Sequence, residues 1–135
     1  EINADYIAGF VSAASRRELK PVVEQLFADP SLVSRQLVED LLRYKRLDGV
    51  SAALEALSGA FLADGRQKTL LAASLAALDI PVLVVWGAED RIIPAAHAGA
   101  LNGRAKAEVI PGAGHMVQME KASRVNELIG AHVAG

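Results

Sequence analysis

Through the first half of the chain apolar residues recur three and four positions apart; from residue 82 they run together instead. Leu19, Val22, Val23, Leu26 and Phe27 fall at i, i+3, i+4, i+7 and i+8, one stripe of a helix. Ser15-Arg16-Arg17-Glu18 stands before them with the spacing of a capping box. Asp29-Pro30 offers an N-cap and a first-turn proline, which predicts a helix with Leu32, Val33, Leu37, Val38, Leu41 and Leu42 facing inward and a stop near Leu47. After Asp48-Gly49, the residues Val50, Ala53, Leu54, Leu57 and Phe61 make another stripe, ended by Gly65. A Leu/Ala-rich stretch predicts a further helix over 66–78, and Asn3 is placed to cap an opening helix containing Tyr6, Ile7 and Phe10. Five helices and no strand are expected before residue 79.

The character then changes. Residues 82–86 are a continuous aliphatic and β-branched run ending in Trp, the pattern of a strand covered on both faces. Residues 95–101, entered by Pro94, suit a short crossover helix, and 107–110 a second short strand. A strand, helix and strand in this order imply a parallel pair. A final helix over 117–133 carries Val117, Val125, Leu128, Ile129 and Val133, weakened by Gly130. The expected class is α/β and helix-rich, with residues 1–78 helical and 79–135 a βαβα unit.

Candidate chemistry lies just beyond the two strands. Gly87-Ala88-Glu89-Asp90 follows the first and Gly112-Ala113-Gly114-His115 the second. In parallel sheets functional groups gather beyond the carboxyl ends of the strands, so neighbouring strands would bring Asp90 and His115 together. A carboxylate beside an imidazole fixes its tautomer and stabilises the imidazolium formed when the ring takes a proton. Each residue alone also has a plainer reading, Asp90 as a cap of the Pro94 helix and His115 as a turn residue. Glu89 is the rival acid. The ordered set of strand, Gly-x-x-Asp, crossover, strand, Gly-x-Gly-His and helix favours the paired reading.

These motifs resemble the C-terminal part of an α/β-hydrolase. Ile80-Pro81-Val82-Leu83-Val84-Val85-Trp86-Gly87, Gly114-His115-Met116-Val117-Gln118-Met119-Glu120 and Arg46-Leu47-Asp48-Gly49-Val50 are similar to the family of dihydrolipoyllysine acetyltransferase components of acetoin dehydrogenase complexes. The resemblance implies a partial α/β-hydrolase fold, with residues 1–78 as helical cap and connecting helix. It also implies Asp90 and His115 as acid and base of a Ser-His-Asp triad, and a parent enzyme that uses a lipoyl group and coenzyme A alongside other subunits of the complex. The departure is the nucleophile: none of Ser12, Ser15, Ser31, Ser34, Ser51, Ser58, Ser74 and Ser123 sits in Gly-x-Ser-x-Gly. Two-thirds of a triad predicts no hydrolysis or acyl transfer by these residues alone. An esterase or carbon–carbon bond hydrolase is the neighbouring alternative.

Composition narrows the partners. With a net charge of −2 and both signs interspersed, the 135 residues carry no basic field suited to nucleic acid. Zero cysteines exclude a disulfide framework and thiolate zinc sites, and the absence of a long apolar run predicts no membrane span; a cytoplasmic location is expected. The chain starts at Glu1 without Met, which suggests excision from something longer. His97 and His132 lack spaced metal-ligating partners, so no metal is expected and both read as surface or packing histidines. Arg43, Lys45 and Arg46 suit either a phosphate-bearing ligand or the C-terminal dipole of their helix. Met116 and Met119 are expected to pack beneath the histidine loop. A strand pair cut from a larger sheet would leave an open edge, and from this a homodimer through that edge or through the cap helices is expected.

Overall fold

The computed structural model describes residues 2–63, 66–69, 71–100 and 105–135. Helix α1 (Ala4–Ser12) starts where the Asn3 side-chain oxygen accepts the Tyr6 N–H at 2.9 Å. Helix α2 (Arg16–Glu24) opens with the expected capping box: Glu18 N–H donates to Ser15 Oγ, and Glu18 Oε2 accepts from Ser15 N–H at 3.1 Å and Ala14 N–H at 3.0 Å. Its stripe is buried at Leu19 and Val23.

The next helix begins later than the sequence pattern predicts. The Asp29 side chain accepts the Ser31 N–H at 2.9 Å and caps only a 3-10 turn, Pro30–Leu32. Ser34 is the N-cap of α3 (Arg35–Lys45), accepting from Leu37 N–H at 3.1 Å. Two competing polar caps in six residues divide the segment, and Leu32 is left exposed while Val33, Val38 and Leu42 are buried. Helix α4 (Val50–Phe61) follows Gly49, whose φ is +82°, and none of its residues is buried. Its apolar stripe leans on α1, so that Tyr6, Ile7, Phe10, Leu54, Leu57 and Phe61 surround a cavity of about 120 Å³.

The helix expected over 66–78 is largely replaced, and the first half is not free of strands. Strands β1 (Leu62–Ala63) and β2 (Arg66–Gln67) pair antiparallel in the register Leu62↔Gln67 and Ala63↔Arg66, and among the described residues of 66–78 only α5 (Ala72–Ala76) is helical. The sequence between them, Asp64-Gly65, is of the kind that favours a two-residue hairpin connection. Gly65, expected to end a helix, lies outside the described residues, as does Leu101 at the end of the crossover.

Strands β3 (Val82–Gly87) and β4 (Ala105–Ile110) pair in parallel, Val82↔Ala105 through Gly87↔Ile110. The crossover holds a 3-10 helix, Ala95–Ala100, rather than an α-helix. Residues 82–86 are half-buried rather than covered on both faces. Leu83 and Val85 pack against Ile110, Ala113, Val117, Val125 and Leu128. The final helix divides at Lys121 (φ −131°, ψ 41°) into α6 (Val117–Glu120) and α7 (Ala122–Ala134), while Gly130 passes uninterrupted.

A second apolar cluster joins Ala13, Leu19, Val23, Phe27, Val33, Val38 and Leu42 from the helical half, with Met116 of the β4–α6 connection packed against it. Leu19 is fully buried, so Leu19→Ala should cost about 2–5 kcal/mol in denaturant unfolding. Leu57→Ala, on the exposed stripe of α4, should stay within about 0.5 kcal/mol of wild type.

The N–H groups of Ala14 and Ser15 and the Ser15 hydroxyl hold the Glu18 carboxyl below its ordinary pKa of 4.5. A folded-state pKa below the unfolded one contributes stability that is present above the unfolded value and lost as pH falls through the folded one. Glu18→Gln should therefore destabilise at neutral pH, and its deficit should close below about pH 4 in acid titrations of stability.

Candidate functional site

The parallel register delivers two loops to one end of the sheet. Beyond Gly87 the chain turns back, with Ala88 N–H donating to Ile110 O at 3.0 Å and Asp90 N–H to Gly87 O at 3.3 Å. The turn points the Asp90 carboxylate inward, where its side chain is 3% exposed. Its Oδ1 accepts from Ile92 N–H at 2.8 Å and Ile93 N–H at 3.0 Å, and its Oδ2 lies 2.9 Å from His115 Nδ1. Three donors satisfy a carboxylate that water barely reaches. Asp90 thus caps the turn after it and faces the histidine at once, one oxygen for each task.

Two further side chains stiffen this turn. Trp86 Nε1–H donates to Ile93 O at 3.0 Å. Asn3 donates through its backbone to Ile92 O at 2.7 Å and through Nδ2 to Arg91 O at 3.0 Å, which ties the start of α1 to the Asp90 loop. Neither contact is legible as a sequence motif, since each joins a polar side chain to a distant backbone carbonyl.

The histidine loop is held more closely still. A Cβ on Gly87 would stand 2.1 Å from Gly114 O, and one on Gly114 would stand 2.8 Å from Ala28 N and 2.9 Å from Leu26 O. Only glycine allows backbone to meet backbone at both points. Glu89, the rival acid, is occupied elsewhere: its Oε2 accepts from Ala113 N–H at 3.0 Å, and its own N–H donates to Ala113 O at 3.0 Å. Glu120 accepts from Gly114 N–H at 2.6 Å through Oε2 and from Asp29 N–H at 3.0 Å through Oε1. Met116 N–H donates to Leu26 O at 3.0 Å. The part played by Glu120 was hidden by reading 117–133 as one continuous helix.

His115 itself is 34% exposed at its side chain, and among the described residues nothing hydrogen-bonds its Nε2. With the Asp90 carboxylate accepting a hydrogen bond from Nδ1–H, Nε2 carries the lone pair and can accept a proton from an approaching group. Val85, Trp86, Ile93 and Val117 line a small cavity of about 140 Å³ against the pair.

The other candidates separate. Lys45 is buried, its Nζ donating to Phe10 O and to Val11 O at 3.2 Å and lying 5.0 Å from the centre of the Phe10 ring. Burial lowers its pKa, and its hydrogen bonds satisfy the end of α1. Arg43 lies 3.5 Å from Asp40. Met116 packs against the helical cluster, whereas Met119, also expected beneath the histidine loop, is 55% exposed. His97 and His132 are half-buried; among the described residues no three His, Cys, Asp or Glu side chains form a metal-holding group. Among the same residues no helix is long and apolar enough to cross a membrane.

The chain is similar to known proteins in sequence and in fold. The chain is 57% identical over 134 residues to the dihydrolipoyllysine-residue acetyltransferase component of the acetoin cleaving system of Cupriavidus necator, a match covering 99% of this chain and 36% of that protein. It is 52% identical to the protein of the same description from Pseudomonas putida, covering 93% of this chain and 33% of that one. The chain spans about a third of the length of these curated relatives. Its fold is similar to that of a meta-cleavage product hydrolase from Pseudomonas fluorescens IP01, with TM-score 0.83 and 19% identity, covering 99% of this chain and 51% of that one. It is also similar to 2-hydroxy-6-oxo-6-phenylhexa-2,4-dienoate hydrolase from Rhodococcus sp. strain RHA1, with TM-score 0.80 and 20% identity over 94% of this chain and 47% of that one. A family model described as the alpha/beta hydrolase fold matches residues 4–122. With a parallel strand pair, an acid after one strand and a histidine after the next, the chain belongs to the α/β-hydrolase fold family.

Proposed function

We propose that this chain is the base-bearing part of an acyltransferase that moves an acetyl group from dihydrolipoamide to coenzyme A in acetoin cleavage. The 2.9 Å contact between Asp90 and His115 carries the reading, and the names of the two curated relatives supply the substrate class. Residues 1–78 act as the cap over the site, and residues 79–135 as the part of the core that presents acid and base.

The nucleophile is a serine outside these 135 residues, since no Gly-x-Ser-x-Gly elbow occurs among them. His115 Nε2 takes the serine hydroxyl proton as the oxygen attacks the thioester carbonyl, while Asp90 stabilises the imidazolium. The imidazolium then returns the proton to the departing dihydrolipoamide sulfur, leaving an acetyl-serine. In the second half-reaction His115 deprotonates the coenzyme A thiol, which attacks the acetyl-serine, and serine recovers its proton. The lipoyl group and coenzyme A are substrates here, and the other subunits of the acetoin-cleaving system are the partners that supply the first.

An assembly role is a second reading, favoured by one observation: among the described residues β3 and β4 pair only with each other, and Ile80, two residues before β3, is more than half exposed. Open edges of this kind join a second strand readily. In this reading the chain forms a homodimer through the edge or through exchanged helices.

Within the acetyltransferase that contains this chain, His115→Ala and Asp90→Asn should each lower kcat for acetyl transfer by about 10³–10⁴-fold, measured as acetyl-coenzyme A formation. Retention of full activity by either would remove the proposed roles. The 135 residues alone should remain unlabelled by a fluorophosphonate probe; stoichiometric labelling lost in His115→Ala would place a nucleophile within them. Sedimentation at micromolar concentration should show a dimer, and a monomer would exclude the assembly reading.

A further inference from the structure

Glu120 ends the single helical turn after His115, and its carboxylate reaches back across the loop it has just left. Its two oxygens serve different parts of the molecule. Oε2 takes the N–H of Gly114, the residue joined to His115, at 2.6 Å; Oε1 takes the N–H of Asp29, at the foot of the 3-10 turn in the helical half, at 3.0 Å. Both are hydrogen bonds to an ionised acceptor, roughly twice as strong as neutral ones. Glu89 grips the adjacent Ala113, but from the Asp90 loop of the same sheet edge. Glu120 is therefore the side chain that links the peptide preceding His115 to the helices, beside the backbone bond from Met116 to Leu26.

We propose that Glu120 is a positioning residue for His115, fixing the histidine loop to the helical half so that Nδ1 stays on Asp90. Its importance for acyl transfer rests on the reading of His115 as the base; its mechanical role does not. The Gly114 peptide sets the direction in which the imidazole leaves the backbone. A shift of the loop by about 1 Å would take Nδ1 and Oδ2 beyond hydrogen-bonding distance and free the ring to adopt the other tautomer. No substrate contact is required of Glu120.

The test uses nuclear magnetic resonance of the nitrogen-15-labelled chain, with no acyl substrate present, so that failure of the acyltransfer reading leaves it intact. In the wild type His115 should hold its proton on Nδ1. Glu120→Ala should speed exchange of that proton with solvent at least tenfold and bring in the Nε2-protonated form. Glu120→Gln keeps the shape but offers one oxygen acceptor to two N–H donors, and should give a smaller acceleration in the same direction. Exchange of the Trp86 Nε1 proton, held by Ile93 on the neighbouring loop, should stay within twofold in both, as should every signal in Glu127→Ala, a surface control paired with Arg124. The proposal falls if His115 exchange in Glu120→Gln stays within twofold of wild type, or if the Trp86 proton accelerates equally, which would mark general loosening. Should Glu120→Ala not fold, the Glu120→Gln result alone decides.

Discussion

Gly87 and Gly114 leave no room for a side chain because the backbone of the histidine loop lies against backbone on two sides, the end of β3 and the Leu26–Ala28 segment. Everything in the site follows from that contact. Once the loop is pressed between sheet and helices, the N–H groups of residues 113, 114 and 116 turn away from water and must find acceptors. Glu89, Glu120 and the Leu26 carbonyl supply them, each from a different element. The imidazole then leaves the loop toward Asp90, whose own direction is set by a tight turn whose backbone N–H groups it accepts. Close packing and complete hydrogen bonding are two sides of one arrangement here.

Two buried charges show how the surroundings decide what a charge is for. Asp90 and Lys45 are each almost wholly enclosed, and among the described residues no buried side-chain polar atom lacks a partner. Asp90 spends one oxygen on two backbone N–H groups and keeps the other for an ionisable ring that faces solvent. Lys45 meets backbone carbonyls and an aromatic face. The first environment can respond to a proton arriving at its partner, whereas the second closes a helix end and has no group to exchange one with.

Much of this was legible in the sequence where a single local rule governed. The Ser15 capping box, the Asn3 cap, the stripe through Leu19 and Val23, the parallel strand pair and the juxtaposition of Asp90 with His115 all rest on short-range spacing or on strand order. The reading lost detail where two local signals competed. Asp29-Pro30 and Ser34 both look like helix starts, and the pattern alone does not say that the first makes a turn and the second the helix. Asp64-Gly65 sits between a helical stripe and a Leu/Ala-rich run, and the hairpin it marks is only two residues deep on each side. Lys121 breaks the last helix with no proline or glycine to announce it. The holders of the two loops were the least visible, because Glu89 and Glu120 on the histidine loop and Asn3 on the Asp90 loop act on backbone groups, and backbone groups leave no trace in composition.

The bond from Glu120 to Asp29 joins residues 91 positions apart, and Met116 to Leu26 and Asn3 to Ile92 span comparable distances along the chain. The helical cluster that receives them is built almost entirely from residues 13–42, within easy reach of one another. Loop-closure entropy grows with the length of chain enclosed, so these closures cost more than the contacts within residues 13–42. Those long closures are the ones that hold the two loops of the site. The geometry of the site therefore rests on the closures that the entropy of the chain opposes most.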